Sequence, residues 1–295
     1  PLIRHMNQAV TRRVLTELGK KAEKEPTEYA EFWGNFGSVL KEGLYEDHER
    51  QAELLELVRF RSTAGATDNG ALVSLKDYVG RMKEGQEAIY YITGDDLQTL
   101  ENSPHLEGFR ARGVEVLLLS DPVDDFWLSA VFEYDGHALT SATRGSTDLS
   151  NMGEEAAKDA DDTAEPAKEG DLATLIALVK QTLGEAVKDV RTTDRLTDSA
   201  VCLVADDGDM DMRLERMLKA HNQLKTDSVR ILEINPKHDL IKNMSAAATK
   251  GGAADHLADL AFLLLDQARI IEGEALPDPA AFSRRMATVM AKAAG

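Results

Sequence analysis

The chain has 295 residues, 43% of them hydrophobic but only 5% aromatic, and a formal net charge of −18. That much apolar mass supports packed cores and excludes global disorder, and the length suits two domains or three small ones. The acidic balance excludes a phosphate-backbone partner, which needs a basic face, and disfavours anionic membranes.

Further exclusions follow from single residue types. Cys202 is the only cysteine, which rules out an intramolecular disulfide and fits a reducing, cytoplasmic location. No run of about eighteen apolar residues occurs, so no membrane span is expected. The first fifteen residues lack the apolar core and cleavage site of a signal peptide. Because the chain opens abruptly without Met, it is expected to be a segment of a longer protein.

In chain order, Ile3, Met6, Val10, Val14 and Leu18 recur at helical spacing and predict a helix over Leu2 to Lys24. Pro26 breaks it. A second helix restarts with Thr27 as N-cap and Tyr29, Phe32, Trp33 and Phe36 as an aromatic face. Gln51 to Arg61 reads as a third helix, and "STAGATDNGAL" as a glycine-rich loop. In "LKDYVGRMKEGQEAIYYITGD", Leu75, Tyr78, Val79 and Met82 share a helix face, and Gly85 is placed as a left-handed stop. Ala88 to Thr93 then has the uncharged, β-branched and aromatic content of a buried strand. A crossover of about twenty residues leads to "VEVLLLSDP", which predicts a parallel pair. "VDDFWLSAVFEYDG" is read as another helix with a turn at Asp135–Gly136.

Gly153 to Asp171 is acidic and poor in apolar residues, the mark of a solvated linker or an exposed helix start. Leu172 to Leu183 is an amphipathic helix, and strands follow in "AVKDVRTTDRL", at Ala200 to Ala205 and in "VRILEIN". A helix over Met210 to His221 separates the last two. Asn235 is expected to cap a further helix with Pro236 at its first position. Two helices, Asp255 to Glu272 and Pro279 to Ala293, close the chain. The expected class is α/β, α+β overall, with a helical bundle at the end.

No catalytic group assembles from these pieces. Neither G-x-x-x-x-G-K-[ST] nor a strand-linked G-x-G-x-x-G occurs. Asp207, Asp209 and Asp211 open like a calcium loop, but Met212 stands at the required Gly and Leu218 at the closing Glu. The histidines do not pair at ligand spacing and Cys202 has no partner cysteine, so no metal is expected. Cys202 lies in an apolar strand and reads as an inert thiol. His238 is read as a helix-start residue, there being no nucleophile placed for it.

Two apolar features stand out. On the helix over Asp255 to Glu272, Leu257, Leu260, Ala261, Leu264, Leu265, Ala268 and Ile271 form a stripe that Phe262, Leu263 and Ile270 widen over most of the circumference. Such a helix must be buried on two sides. With Phe282, Met286, Val289 and Met290 on one face of the last helix, it predicts a four-helix interface between two copies. The second feature is "DMDMRLERMLKAHNQ", where Met210, Leu214, Met217 and Leu218 share one face and Arg213, Glu215, Arg216 and Lys219 line the other. It reads either as a helix covering a sheet or as a half-exposed binding helix, since methionine-rich faces adapt to varied apolar partners.

The segments "EFWGNFGSVLKEGLYED", "SLKDYVGRMKEGQEAIYYITGD", "SPHLEGFRARGVEVLLLSDPVD", "VKDVRTTDRLTDSAVCLV", "ILEINPKHDLIKNM" and "LLLDQARIIEG" resemble, in order and over nearly the whole chain, the heat-shock protein 90 chaperone family in its bacterial form. The resemblance implies a helical part of the middle domain at residues 1–83, a small α/β/α unit of that domain at 84–152, and a C-terminal dimerisation domain at 153–295. It implies client contacts at Phe126, Trp127 and Ser129 and at Met210, Leu214, Met217 and Leu218. The pair Phe126–Trp127 and Ser129 stand where bacterial relatives often have a single Trp and an Asn. It also implies that ATP and magnesium belong to an N-terminal domain, and the catalytic arginine to a loop, both ahead of Pro1; Arg4, Arg12 and Arg13 are not that arginine. The acidic pentapeptide of cytosolic eukaryotic relatives does not stand at Gly295. The function expected is that of a homodimeric chaperone segment without catalysis of its own, binding partly folded proteins and working with other chaperones. The alternatives are a self-contained α/β enzyme or a pure dimerisation scaffold.

Overall fold

The computed structural model describes residues 2–65, 71–145, 147, 149, 152, 166–206, 208–220, 223–224, 228–251 and 254–294. Residues 66–70 of the glycine-rich loop, 153–165 of the acidic linker, Asp207 and His221 lie outside them. In chain order the helices and strands are α1 (Leu2–Lys24), α2 (Pro26–Glu46), α3 (Gln51–Leu57), β1 (Arg61–Ser62), α4 (Leu75–Val79), β2 (Ala88–Thr93), α5 (Leu97–Glu101), α6 (Glu107–Ala111), β3 (Val116–Leu119), α7 (Asp124–Trp127), β4 (Glu133–Tyr134) and β5 (His137–Ser141). They continue with α8 (Glu169–Leu183), β6 (Asp189–Thr192), β7 (Val201–Val204), α9 (Met212–Ala220), β8 (Ile231–Ile234), α10 (Asp239–Thr249), α11 (Ala254–Ile271) and α12 (Pro279–Ala294). The mixed α/β class expected from the sequence is the class observed. Two compact units result, one of Pro1–Asn102 with Val114–Ala142, the other of Ser103–Gly113 with Thr143–Gly295.

The first unit holds a mixed sheet in the order β1-β3-β2-β5-β4. The expected parallel pair is present, with Tyr90 opposite Val116 and Thr93 opposite Leu119. All four residues of β3 are buried, as an uncharged run covered on both faces requires. The core joins Tyr29, Trp33 and Leu44 of α2 to Leu75 and Tyr78 of α4, Ile89, Leu117 and Trp127. Polar groups that enter it are matched. Tyr78 Oη donates to the Glu115 carbonyl at 2.6 Å and accepts from the Tyr90 N–H at 2.9 Å.

Several local expectations are corrected. Helix α2 starts at Pro26 with Glu25 as N-cap, because a proline at the first position gives up an N–H that would be unpaired anyway. Thr27 therefore lies inside the helix. Helix α3 stops at Leu57, short of Arg61, and Arg61 and Ser62 pair with β3 instead. Helix α4 is opened by a reciprocal Ser74–Asp77 cap and ends at Gly80, whose φ of −63° is ordinary. Gly85 does take a left-handed φ of 80°, but in the turn before β2, where the Gln86 side chain accepts the Lys83 N–H. The helix read over Val123 to Tyr134 is only α7. Beyond it, Asp135 and Gly136 have φ of 51° and 79° and join β4 to β5 by a two-residue turn, with Tyr134 opposite His137. Asp-Gly is the pair that tolerates two positive φ values and suits a hairpin twist.

The second unit carries a sheet in the order β6-β8-β7, with β6 parallel and β7 antiparallel to the central strand. Its core joins Leu175, Val179 and Leu183 of α8 to Leu232 and Ile234 of β8, Ile241 of α10, and Leu257, Ala261, Leu264, Leu265 and Ala268 of α11. Helix α10 is capped by His238, whose Nδ1 accepts the Leu240 N–H at 3.1 Å; Asn235 instead accepts the Lys237 N–H and forms the preceding turn. His238 is thus the helix-start residue its position predicted.

Glu233, on the central strand, is 2% exposed. Arg191 Nη2 donates to its Oε1 at 2.8 Å and Arg195 Nη2 to its Oε2 at 2.9 Å. Burial pushes the Glu233 carboxyl up, but the charge of Arg195 and the hydrogen bonds of both arginines outweigh it and hold the group below its ordinary value. A carboxyl depressed in the folded state adds stability above its unfolded pKa and loses it as pH falls through the folded one. Urea midpoints are therefore expected to fall as pH drops below about 4, and less steeply in Glu233→Gln. Identical slopes in the two proteins would refute this pairing.

Candidate functional site

Helix α7 is held from beneath. Asp124 has no exposed surface, and its Oδ1 receives Lys41 Nζ at 2.7 Å and Trp127 Nε1 at 2.7 Å, while Oδ2 accepts the Asp121 N–H at 3.0 Å. Lys41 also lies over the Phe60 ring, 5.5 Å from its centroid. These contacts sort the aromatic pair. Trp127 is fully buried, its ring 5.7 Å from that of Phe60, whereas Phe126 is 48% exposed. Ser129 is exposed too, its hydroxyl donating to the Phe126 carbonyl at 2.6 Å. A side chain without accessible surface has nothing to offer a partner, so Trp127 is structural here and Phe126 with Ser129 forms the outer surface.

The sequence reading passed over Tyr45, whose ring lies 6.0 Å from that of Phe126, and Phe132, which is 71% exposed. It also passed over Lys41. The signal for Lys41 was present: it continues the Trp33, Gly37 and Leu44 stripe, where a lysine must find a buried partner.

In the other unit, α9 docks by an unexpected face. Glu215 is 1% exposed, and Met212 and Arg213 are buried with it. The Glu215 carboxylate pairs with Lys219 at 2.7 Å, accepts the Ser228 N–H at 2.8 Å and pairs with buried Arg230. Burial raises this carboxyl, and the Lys219, Ser228 and Arg230 contacts together bring it below its ordinary value. Helix α9 begins at Met212 instead of Met210, so Met210 lies just ahead of it. At 100° per residue, Leu214, Met217 and Leu218 gather opposite Met212, and they and Met210 are half-buried. The apolar side is thus left at the surface because the inner side is anchored by charge.

Helices α11 and α12 divide the residues expected at a self-contact. Leu257, Leu264, Leu265 and Ala268 belong to the unit's own core and have at most 3% of their surface exposed. Leu260 is partly buried against the same core, while Ile270 and Ile271 are exposed. Helix α12 has no buried residue along its sixteen. Met286 and Met290 are 37% and 62% exposed, and Phe282 and Val289 are half-buried. The Arg285 guanidinium sits 4.2 Å from the Phe262 ring centroid, tying α12 to α11.

Other chemistry is weakly represented. Cys202 is buried, its Sγ 3.9 Å from Glu233 Oε2, and burial followed by that carboxylate pushes the thiol far up; it is no nucleophile. Asp211 accepts the Arg213 N–H at the start of α9, and Asp209 lies 3.5 Å from Lys188 Nζ. Among the described residues no group of His, Cys, Asp or Glu could hold a metal, and no helix is long and apolar enough to cross a membrane. A 450 Å³ cavity in the second unit is lined by Glu215, Arg216, Arg230, Arg269 and Glu274. Burial raises the Glu274 carboxyl against the pull of Arg230.

Comparison with known proteins gives these surfaces a setting. The sequence matches the family profile described as "Hsp90 protein" over residues 1–295, and the chain belongs to that family. It is 55% identical over 293 residues to "Chaperone protein HtpG" of Paramagnetospirillum magneticum, covering 99% of this chain and 46% of that protein. The proteins of the same description from Roseobacter denitrificans and Rhodospirillum rubrum are 52% and 49% identical, again over 46% of their lengths. The chain therefore spans about half the length of these curated relatives.

Lys41→Met leaves the Asp124 charge buried without its cation and is expected to cost about 3 kcal/mol. The double variant with Asp124→Asn, which removes the charge but keeps an acceptor for Trp127 Nε1, should recover most of that, as read from urea denaturation midpoints. Equal losses in the single and double variants would show that the pair is not what holds α7.

Proposed function

We propose that this chain is the later middle-domain and C-terminal part of an ATP-driven molecular chaperone, with the helical part at residues 1–83, the small α/β/α unit at 84–152 and the dimerisation domain at 153–295. It holds partly folded proteins through two apolar surfaces and pairs with a second copy of itself. ATP and magnesium binding, and hydrolysis, belong to the half of the relatives' length that this chain does not span. The chain itself is not an enzyme. It acts in the cytoplasm, alongside other chaperones.

The observation that carries client binding is the orientation of α9. A helix anchored by Glu215 on its inner side leaves Leu214, Met217 and Leu218, with Met210 just ahead of it, half-buried and away from that anchor, and flexible, polarisable side chains of this kind accept varied apolar sequences. Phe126 and Ser129 supply the second surface, and Tyr45 extends its aromatic area. Trp127 acts indirectly by fixing α7. Replacing Met217 and Leu218 together by Ser is expected to weaken binding of a reduced, alkylated protein that stays unfolded by about ten-fold, with the circular dichroism spectrum unchanged. Unaltered affinity would make the helix a plain covering element.

The self-contact is supported by α12, an amphipathic helix with no fully buried residue in its own unit. Phe282, Met286, Val289 and Met290, with Ile271 and the outer edge of α11 at Leu260, form the contact. Leu257, Leu264, Leu265 and Ala268 support it from the core. A stable pairing of about 1,200–2,000 Å² is ordinary for such an association. Sedimentation at micromolar concentration should give a dimer, and Met286→Glu with Met290→Glu a folded monomer. A wild-type monomer would defeat the self-association.

A further inference from the structure

The 450 Å³ cavity of the second unit lies between α9, the approach to β8 and the end of α11. The end of α11 fixes one wall. Gly273, with φ of 72°, and Glu274 return their N–H groups to the Ile270 and Arg269 carbonyls at 3.0 and 2.8 Å, a left-handed helix stop. The turn so formed offers the Glu272 carbonyl to Arg216 Nη1 and sets Glu274 in the lining. The cations of the lining are Arg216, Lys219, Arg230 and Arg269, against three carboxylates. Lys219 and Arg230 both pair with the single carboxylate of Glu215. Arg216 meets a neutral carbonyl oxygen, and Arg269 Nη1 stands 3.5 Å from Asp266. Arg230 is 6% exposed, and its Nη1 is buried without an acceptor among the described residues. A buried guanidinium donor left unmet is costly, and an oxygen brought in by a ligand would meet it. Leu203, Val229, Leu265 and Pro277 make other parts of the wall apolar.

We propose that this cavity binds a small organic carboxylate, its oxygens received by Arg216 and Arg230 and its carbon body set against Leu203, Val229 and Leu265. Guanidinium forks match a planar carboxylate, and apolar walls with a few convergent polar groups are the make-up of small-molecule sites. The charge balance selects a monoanion. Four cations against three carboxylates leave a surplus of one, which a single carboxylate cancels and a phosphate dianion exceeds. Neither Met217, Leu218 nor Met286 lines the cavity, so the site is independent of the client and self-contact readings. Glu274 gives the site a pH response. It is faced by Arg216 from α9, Arg230 from the approach to β8, Arg269 from α11, and Glu272, which His105 holds at 2.8 Å. Burial raises its carboxyl against the pull of the three arginines. On acidification it therefore takes up a proton before an ordinary carboxyl does, which removes a charge that repels the ligand and supplies an O–H donor. Binding tightens as pH falls.

The test is calorimetric titration of the full chain with benzoate as the probe, benzamide as its uncharged match and inorganic phosphate as an anion without a carbon body. Benzoate should bind about ten-fold more tightly than either, and Arg216→Met should weaken it about ten-fold with the circular dichroism spectrum unchanged. Lowering the pH from about 7.5 to about 5.5, still above the ordinary carboxyl range, should tighten benzoate binding about three-fold. Glu274→Gln should bind benzoate more tightly at the higher pH and lose that dependence. Equal binding of benzoate and benzamide, or binding of neither, overturns the site. Phosphate bound as tightly as benzoate overturns the organic ligand, and unchanged benzoate affinity in folded Arg216→Met overturns the placement of its carboxylate. If Arg216→Met does not fold, the near-isosteric Glu274→Gln decides: benzoate affinity and pH dependence identical to those of the natural chain overturn the proposal.

Discussion

A carboxylate withdrawn from water must be met by cations and N–H donors at hydrogen-bond distance, or the fold that buries it pays a penalty of several kcal/mol. Asp124, Glu215 and Glu233 are each at most 2% exposed and each is met in that way. Their pairings decide more than local stability. Lys41 and Asp124 hold a four-residue helix too short to persist alone, and so determine that Phe126 faces out while Trp127 faces in. Glu215 draws the charged side of α9 inward, leaving its methionine and leucine side at the surface. Glu233 gathers Arg191 and Arg195 around the central strand of the second sheet, and Arg195 carries the hydrogen bonding on to the Arg144 carbonyl at 2.8 Å.

A helix that buries a carboxylate and leaves Leu214, Met217 and Leu218 only half-buried departs from the usual division between core and solvent, and it relies on the ionic anchor being complete. Methionine suits the half-buried position because its flexible thioether contacts many shapes at little cost. Helix α12 presents a related economy. It contributes no fully buried residue to its own unit, and Met286 and Met290 stay exposed. The adjacent α11 is packed by Leu257, Ala261, Leu264, Leu265 and Ala268 into the core, and gives α12 a rigid base.

Much of the architecture was legible along the chain. The uncharged runs at Ala88–Thr93 and Val116–Leu119, separated by a crossover, specify a parallel pair, and the observed register joins those same residues. The helical periodicities of α1, α8 and α11 predicted their extents to within a few residues. The failures cluster where short-range chemistry competes with periodicity. Val131 and Phe132 continue a helical pattern, but the Asp135–Gly136 pair favours a hairpin, and β5 gains a parallel partner in β2 that no local pattern announces. Likewise Asn235–Pro236 has the form of a helix start, yet His238 supplies the cap after the turn that Asn235 closes. On the candidate surfaces, residue types singled out helices but not which of their side chains stay exposed. Phe126 and Trp127 are adjacent aromatics, and only the hydrogen bond from Trp127 to Asp124 distinguishes them.

By itself the sequence determined the family, through the resemblance of whole segments in order along the chain. It also determined the mixed α/β class, the parallel pair, the amphipathic character of α9 and the apolar excess of the terminal helices, because these depend on composition and periodicity within single elements. The tertiary structure alone decided which side of each helix is buried, since that depends on partners distant in sequence: Lys41 for Asp124, Arg230 for Glu215, and Arg191 and Arg195 for Glu233. It also decided that residues 103–113, written between two strands of one sheet, fold into the other unit. Nothing in their own pattern requires this. The reason lies ninety residues on, where the N–H groups of Thr197, Asp198 and Ser199 converge on the Glu107 carboxylate.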